Sequence, residues 1–513
     1  MSELLAAAGV LLAVAAAAAT ILLPRGRLRV AAMLVAVALS PVLILGDQWH
    51  TAQIADLRGD TGRVIALLAI AAGAVAALGA LFYRWPRLLP LLIVFALPFR
   101  VPLEAGGDTA NLLVPLYLVI AGGVIAAALR VRAPNFASTR AGGVVGGDHP
   151  PRGGGGPPTA TGPARRRALP IVLATVVVLY ALQLLYSEDF SKGLQNVCFF
   201  LVPFTVAYGL IRDVEWDRRL LTWVLVLVAA EAVAFVAVGS VEYATRELFW
   251  NDQVIRANDF HTYFRVNSVF WDPNVYGRYL ALVIVLATAT LLWVRGRRDF
   301  ALLTVLVAVL WLGLAQTFSQ SSYIALLAGL AALAAIRWSW KWTLVAVVAV
   351  LLVGSSGFDA DTLNKDTSGR SNLISGGVDL FAERPLWGYG SGSFEEAYRV
   401  NRENQDAPVS ASHTQPVTVL AEQGLIGFAA YIALIGVALS TMSTGIRTSS
   451  AARPAVLAAF VALLVHTMSY AGFFEDPITW VLLAVGASLA AAPVANPPPA
   501  SRAPTREPAT SRV

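Results

Sequence analysis

The chain has 513 residues, 57% of them hydrophobic and only 14% charged, with net charge +6 and mean hydropathy +0.65. A water-soluble fold does not hide that much apolar surface, and its basic residues lie in short loops between apolar runs rather than in a patch for nucleic acid. The single cysteine, Cys198, excludes an intrachain disulfide.

Apolar runs long enough to cross about 30 Å of hydrocarbon recur from end to end. They predict an all-α, polytopic membrane bundle of about 12–15 spans, since a helix satisfies its own backbone hydrogen bonds in lipid. In an N-terminal unit, 1–137, spans are expected near 4–23, 30–46, 64–83, 88–101 and 110–129. The first has no basic flank before it and "RGRLR" after it, so it reads as a retained helix rather than a cleaved signal. Residues 138–168 are rich in Gly, Pro and Arg and predict a flexible cytoplasmic linker. A second unit, 169–240, holds spans near 169–186, 195–211 and 220–240.

The unit 241–492 holds spans near 275–294, 300–316, 321–336, 343–354, 414–442, 455–472 and 477–492. It also contains two long loops, 241–274 and 355–413. Long loops of this kind usually carry function. In the second, "TSGRSNLISGGVDLFAERPLWGYGSGSF" predicts an amphipathic helix that turns Leu373, Val378, Leu380 and Phe381 toward the membrane surface. A turn on Gly388, Gly390 and Gly392 follows it. Residues 493–513 form a Pro/Ser/Arg tail expected to be disordered. No internal repeat supports an inverted-repeat transporter plan.

Alternate loops are arginine-rich: 25–29, 84–87, 212–219, 295–298 and 337–341, with the linker and the tail on the same side. The positive-inside tendency makes these cytoplasmic and the two long loops extracytoplasmic. The expected location is a bacterial plasma membrane with the active side outward.

On that outward side lie Arg265, Asp272, Arg278, Arg370 and His413, with Glu422 two turns into the next span. Ionisable groups at a membrane edge are costly unless used. Each also has a plainer reading: Arg278 as a snorkelling side chain, Asp272-Pro273-Asn274 as a helix cap, and Glu422 as an internal partner. His50 and His261 read as surface loop residues, and His466 as a satisfied polar group of the bundle. Arg265, Arg370 and His413 together suit a substrate with a diphosphate head and a lipid-embedded tail. Guanidinium matches phosphate geometry, and histidine takes a proton near neutral pH. No phosphate-binding glycine loop, dinucleotide fingerprint or metal-ligand spacing accompanies them, so no cofactor or metal is expected.

"RVNSVFWDPNVYGRYLAL", "QTFSQSSYIALLAGL", "SGRSNLISGGVDLFAERPLWGYGSGSF" and "ASHTQPVTVLAEQGLIGFAAYIALI" stand in an order that resembles the O-antigen ligase/polymerase family over about 264–440. Two positions depart from its pattern. Gln320 replaces a usual arginine and Thr414 a usual asparagine, which removes a possible phosphate contact and a possible sugar contact. The resemblance implies an inverting, metal-independent glycosyltransferase that uses an undecaprenyl-diphosphate-linked glycan. Arg265 and Arg370 would hold the diphosphate, and His413 would orient or deprotonate the acceptor hydroxyl. Asp272, Asn274, Arg278, Ser319, Gln320, Tyr389 and Glu422 would contact substrate. The implied partners are a lipid-linked saccharide donor, a glycan, lipid or protein acceptor, and membrane lipid; nucleic acid is not among them. The competing readings are a flippase of lipid-linked saccharides, another polysaccharide export protein, or a membrane scaffold. A flippase needs polar groups lining a path across the bilayer, whereas these arginines gather at one face.

Overall fold

Stretches of alanine, leucine and valine favour helix and have no water available to satisfy an open backbone, so helices dominate the architecture. The computed structural model describes residues 3–105, 108–132, 162–250, 254–255, 258, 263–341, 343–344, 348, 360–401, 412–446 and 450–491.

The N-terminal helices are α1 (Glu3–Leu22), α2 (Arg27–Asp47), α3 (Ala52–Gly59), α4 (Thr61–Arg84), α5 (Leu88–Ala96) and α6 (Val114–Arg132). Then come α7 (Gly162–Leu184), α8 (Phe190–Asn196), α9 (Val202–Ile211) and α10 (Arg218–Thr245). A π-helical turn, Val197–Leu201, joins α8 to α9 and buries Cys198. The remainder are α11 (Pro273–Trp293), α12 (Arg297–Thr317), α13 (Gln320–Arg337), α14 (Ala360–Glu383), α15 (Phe394–Asn401), α16 (Gln415–Met442), α17 (Ala452–His466) and α18 (Pro477–Ala491). Among the described residues eleven helices are long and apolar enough to span a membrane, and α17 and α18 are shorter apolar helices packed with them. The chain is an all-α polytopic membrane bundle, with one small exception.

That exception replaces the span expected at 88–101. Helix α5 stops after nine residues, and an antiparallel hairpin follows, β1 (Val101–Ala105) on β2 (Asp108–Leu112), in the register Val101 to Leu112. Pro98 and Pro102 remove the N–H donors that a continuing helix would need. The span expected at 455–472 ends at His466, and residues 467–476 run irregularly into α18. Helix α7 starts at Gly162, inside the stretch expected to be linker; the rest of that linker, the tail at 493–513 and nearly all of 343–354 lie outside the described residues.

Helix α14 forms, but its apolar positions do not all face outward as expected. Leu380 is 2% exposed and packs with Leu373, Tyr389, Phe394, Tyr398 and Ala421 in a small core of its own, whereas Val378 remains exposed. The glycine turn that follows folds back over α14 and supplies the cover for Leu380.

Three of the arginine-rich loops, 25–29, 84–87 and 212–219, meet at one end of the bundle. Asp213 accepts from Arg29 and pairs with Arg25 at 3.3 Å and Arg212 at 3.5 Å, while Arg87 meets Asp217 at 2.7 Å. Ser488 of α18 donates to the carbonyl of Val214 at the same end. The long-loop residues described next collect at the other end.

Candidate functional site

Loop 241–274 is fixed before it reaches the site. Glu242, near the end of α10 and fully buried, accepts the backbone N–H of Ser268 at 2.7 Å, Asn267 at 3.2 Å and Phe249 at 3.4 Å. Asn258 brackets Arg265, giving its side-chain N–H to the Arg265 carbonyl and taking the Arg265 backbone N–H. The guanidinium is thereby aimed. Its Nε donates to the Thr317 carbonyl at 3.0 Å and its Nη2 to Asn274 Oδ1 at 3.1 Å.

Those two acceptors come from different helices. Asp272 caps α11 by accepting the Asn274 N–H at 2.6 Å, and Pro273 takes the first helical position, where its missing donor costs nothing. Between α12 and α13 Phe318 adopts φ 49°, reversing the chain so that Ser319 begins the next helix. Ser319 Oγ donates to Asn274 Oδ1 at 2.9 Å and lies 3.1 Å from Ser321 Oγ and 2.8 Å from Ser322 Oγ. His466 Nε2 sits 3.3 Å from Ser321 Oγ and 3.5 Å from Ser322 Oγ. His466, expected as a satisfied polar group of the bundle, lies at the site, and its Nδ1 is buried without a hydrogen-bond partner.

The histidine loop is pinned from the other side. Gln415 donates its N–H to the Thr467 carbonyl and accepts from the N–H groups of Gly472 and Phe473. His413, two residues before it, is half-buried with φ 61°. Buried beside this segment, Arg278 and Asp476 form an ion pair at 3.0 Å, with the Tyr470 ring 5.7 Å from the Arg278 guanidinium. Asp272 and burial hold the Tyr470 phenol above its ordinary range, and burial pushes the Glu475 carboxyl up.

The turn after α14 is inserted into a broken helix. Helix α16 opens at Gly424, with φ 60° and ψ −163°, a conformation only glycine holds without strain. Across the opening Tyr389 N–H bonds the Ala421 carbonyl, Gly390 N–H the Glu422 carbonyl, and Leu425 N–H the Pro385 carbonyl. Glu422 then accepts from Gly392 N–H at 3.0 Å and Phe394 N–H at 3.2 Å. On the far side the turn meets the end of α7, where Ser187 donates to the Ser391 carbonyl and Tyr186 to that of Trp387.

The sequence-predicted residues thus divide. Arg265, Asn274 and Ser319 meet directly, with Asp272 capping beside them. Arg278 lies one turn along α11 from Asn274. Gln320 is exposed at the start of α13. Glu422, expected to contact substrate, has both carboxylate oxygens occupied by backbone N–H groups of the turn. Tyr389 is buried, donating to Glu383 under the Arg384 guanidinium. Arg370 is on α14, and its side chain lies outside the described residues. Ser321, Ser322, Gln415 and Asp476 were not anticipated; a Ser-Ser pair at a helix start and an acidic pair before a short apolar helix are the only signals for them. Among the described residues no group of three or more His, Cys, Asp or Glu side chains is placed to hold a metal.

Residues 305–432 match the family model described as O-antigen ligase. The match runs from within α12, through α13 and α14 and the inserted turn, into α16. No curated protein matches the chain.

Proposed function

From a chain that carries an O-antigen ligase region at 305–432, we infer a membrane glycosyltransferase that takes glycan from an undecaprenyl-diphosphate carrier and passes it to an acceptor hydroxyl at the extracytoplasmic face of a bacterial plasma membrane. The observation that carries this reading is the placement of Arg265. Thr317 and Asn274 fix its guanidinium at the one point where the first long loop, the mouth of α11 and the α12–α13 turn meet. A fixed, permanently charged fork at the end of a membrane bundle suits a phosphate head whose tail remains in lipid.

In this chemistry the acceptor oxygen attacks the anomeric carbon in line with the bond to the carrier, which inverts that centre in one displacement. The carbon–oxygen bond to the diphosphate breaks, and its electron pair leaves with the lipid diphosphate. Arg265 and Arg370 stabilise the charge developing there. His413 accepts the acceptor's proton. The guanidinium groups fill the electrostatic role that a divalent ion plays in other diphosphate chemistries, so the reaction needs no metal. Asn274 holds Arg265, and Ser319 in turn holds Asn274.

The test is transfer by the full-length protein in proteoliposomes supplied with a lipid-linked glycan and a hydroxyl acceptor. Wild-type protein should release lipid diphosphate in step with glycosylated acceptor. Deletion of the gene should leave lipid-linked glycan accumulating in the membrane. Normal transfer by Arg265→Ala protein at equal abundance would remove the basis of the proposal.

A further inference from the structure

Helices α13 and α17 pack through small residues: a Cβ on Gly329 would lie 3.1 Å from Ala462 Cβ and 3.2 Å from the Ala458 carbonyl oxygen. Ala458, Ala462 and His466 recur at every fourth position, so the face of α17 that fits Gly329 delivers His466 to the start of α13. There the ring meets Ser321 and Ser322. Together with Ser319, these side chains are all buried.

The protons in this cluster can be assigned. Asn274 Oδ1 only accepts, and it takes the Arg265 Nη2–H at 3.1 Å and the Ser319 hydroxyl at 2.9 Å, which fills its two lone pairs. Ser319 has then committed its single proton. The contacts of its oxygen with Ser322 Oγ at 2.8 Å and Ser321 Oγ at 3.1 Å need the protons of those serines. Ser322 has one alternative acceptor, the Asn274 carbonyl at 3.4 Å, which would equally take its proton away from the histidine. Neither serine keeps a proton for His466 Nε2, 3.3 Å and 3.5 Å away, so that nitrogen is the donor. The other ring nitrogen agrees. Nδ1 is buried without a hydrogen-bond partner, and an unmet acceptor is tolerated there more readily than an orphaned N–H.

We propose that His466 is a positioning residue for Arg265. Its Nε2–H heads a one-way relay through Ser321 and Ser322 to Ser319 and on to Asn274. The relay keeps the Asn274 amide turned with its oxygen, rather than its NH2, toward the guanidinium. Without that donor the serine hydroxyls can reorient, and an Asn274 amide that flips sets donor against donor at Arg265. The effect on rate rests on the transfer reading, whereas the direction of the relay stands on the hydrogen bonds alone.

Solid-state NMR of the full-length protein in lipid, with isotopically labelled histidine, reads that direction without a transfer assay. The His466 signals, identified by their loss in His466→Gln, should show a protonated Nε2 and a bare Nδ1. A proton on Nδ1 would overturn the relay. In proteoliposomes, His466→Leu keeps bulk but lacks the donor, and transfer should fall roughly tenfold or more, as displaced positioning groups do. His466→Gln puts an amide N–H near the place of Nε2 and should keep most of the rate, a rescue that bulk alone does not give. In a Ser319→Ala background, where the relay is already cut, His466→Leu should add little further loss. Equal losses in the glutamine and leucine variants, or losses that multiply in the double variant, would also overturn the proposal. If His466→Leu yields no folded protein, Ser321→Ala combined with Ser322→Ala cuts the relay one step on and decides in its place, and normal transfer there counts against the relay. A wild-type protein that transfers no glycan removes the transfer reading while the histidine signals still decide the relay, so the two fall separately.

Discussion

Arg265 is held by the Thr317 carbonyl and Asn274 Oδ1, and this sets what its replacement does. Arg265→Ala loses charge and geometry together and should be the most damaging change at the site. Arg370→Lys keeps the charge and loses the fork, so transfer should fall at least roughly tenfold, about 1.4 kcal/mol of transition-state stabilisation. Initial rates at matched protein level check both. His413→Ala should lose roughly 10²–10⁴-fold in transfer while still binding the lipid-linked donor, because the donor's head is held by arginine. A wild-type rate in that variant would make the histidine structural. At this scale the sequence was legible where a residue's task is local. Asp272 caps its own helix, and Arg265 precedes it by less than a loop. It was not legible where the partner is distant. Nothing near Arg278 announces Asp476, and Glu422 looks like a substrate contact until the turn it holds is seen.

At the scale of elements, the inserted turn and the broken α16 make one unit. A Cβ on Gly424 would lie 2.4 Å from the Leu386 carbonyl oxygen, and one on Gly390 2.2 Å from Ser187 Cα. Gly424→Ala should therefore destabilise the protein by about 1–3 kcal/mol from backbone strain alone, before any displacement of the turn. Glu422→Ala leaves two buried N–H groups unsatisfied, at about 1–3 kcal/mol. Thermal unfolding in detergent reads both, and loss of transfer should follow loss of folded protein. Helix existence was legible because apolar runs have no other stable form in lipid. The hairpin after α5 was hidden because its prolines sit inside an apolar stretch, and the π turn at Val197–Leu201 has no compositional mark. Surface probes must also follow the structure, because Ser268 and Ser391 of the two long loops are fully buried. Cysteines at Glu247 and Ala382, both exposed, with Cys198 replaced, should react with impermeant reagents on intact cells, and one at Gly296 only after permeabilisation. The reverse pattern would put the candidate site in the cytoplasm.

For the whole molecule, the two ends of the bundle carry different electrostatics. At the arginine-rich end burial pushes Asp213 up, but Arg29, through its charge and hydrogen bond, with Arg212 and Arg25, outweighs that and leaves its carboxyl below the ordinary range. A depressed carboxylate contributes its full stability above the unfolded value, about 3.9, and loses it as pH falls through the lower folded value. Wild-type Tm should therefore drop more steeply than that of Asp213→Asn as pH falls below about 4, with the two lines parallel near neutrality. At the other end, the opening of α16 fixes a depth. The continuous stretch 425–442 below Gly424 rises about 27 Å at 1.5 Å per residue, close to the hydrocarbon thickness by itself. With 425–442 spanning the hydrocarbon, the part of the helix before Gly424 would stand in the headgroup layer, and exposed Leu386 and Trp387 would meet it there. Under the proposed function, a carrier lipid would need no lifting out of the bilayer to be used: its phosphates would travel at the level where the helix parts, and the protein would have only to wait at that height.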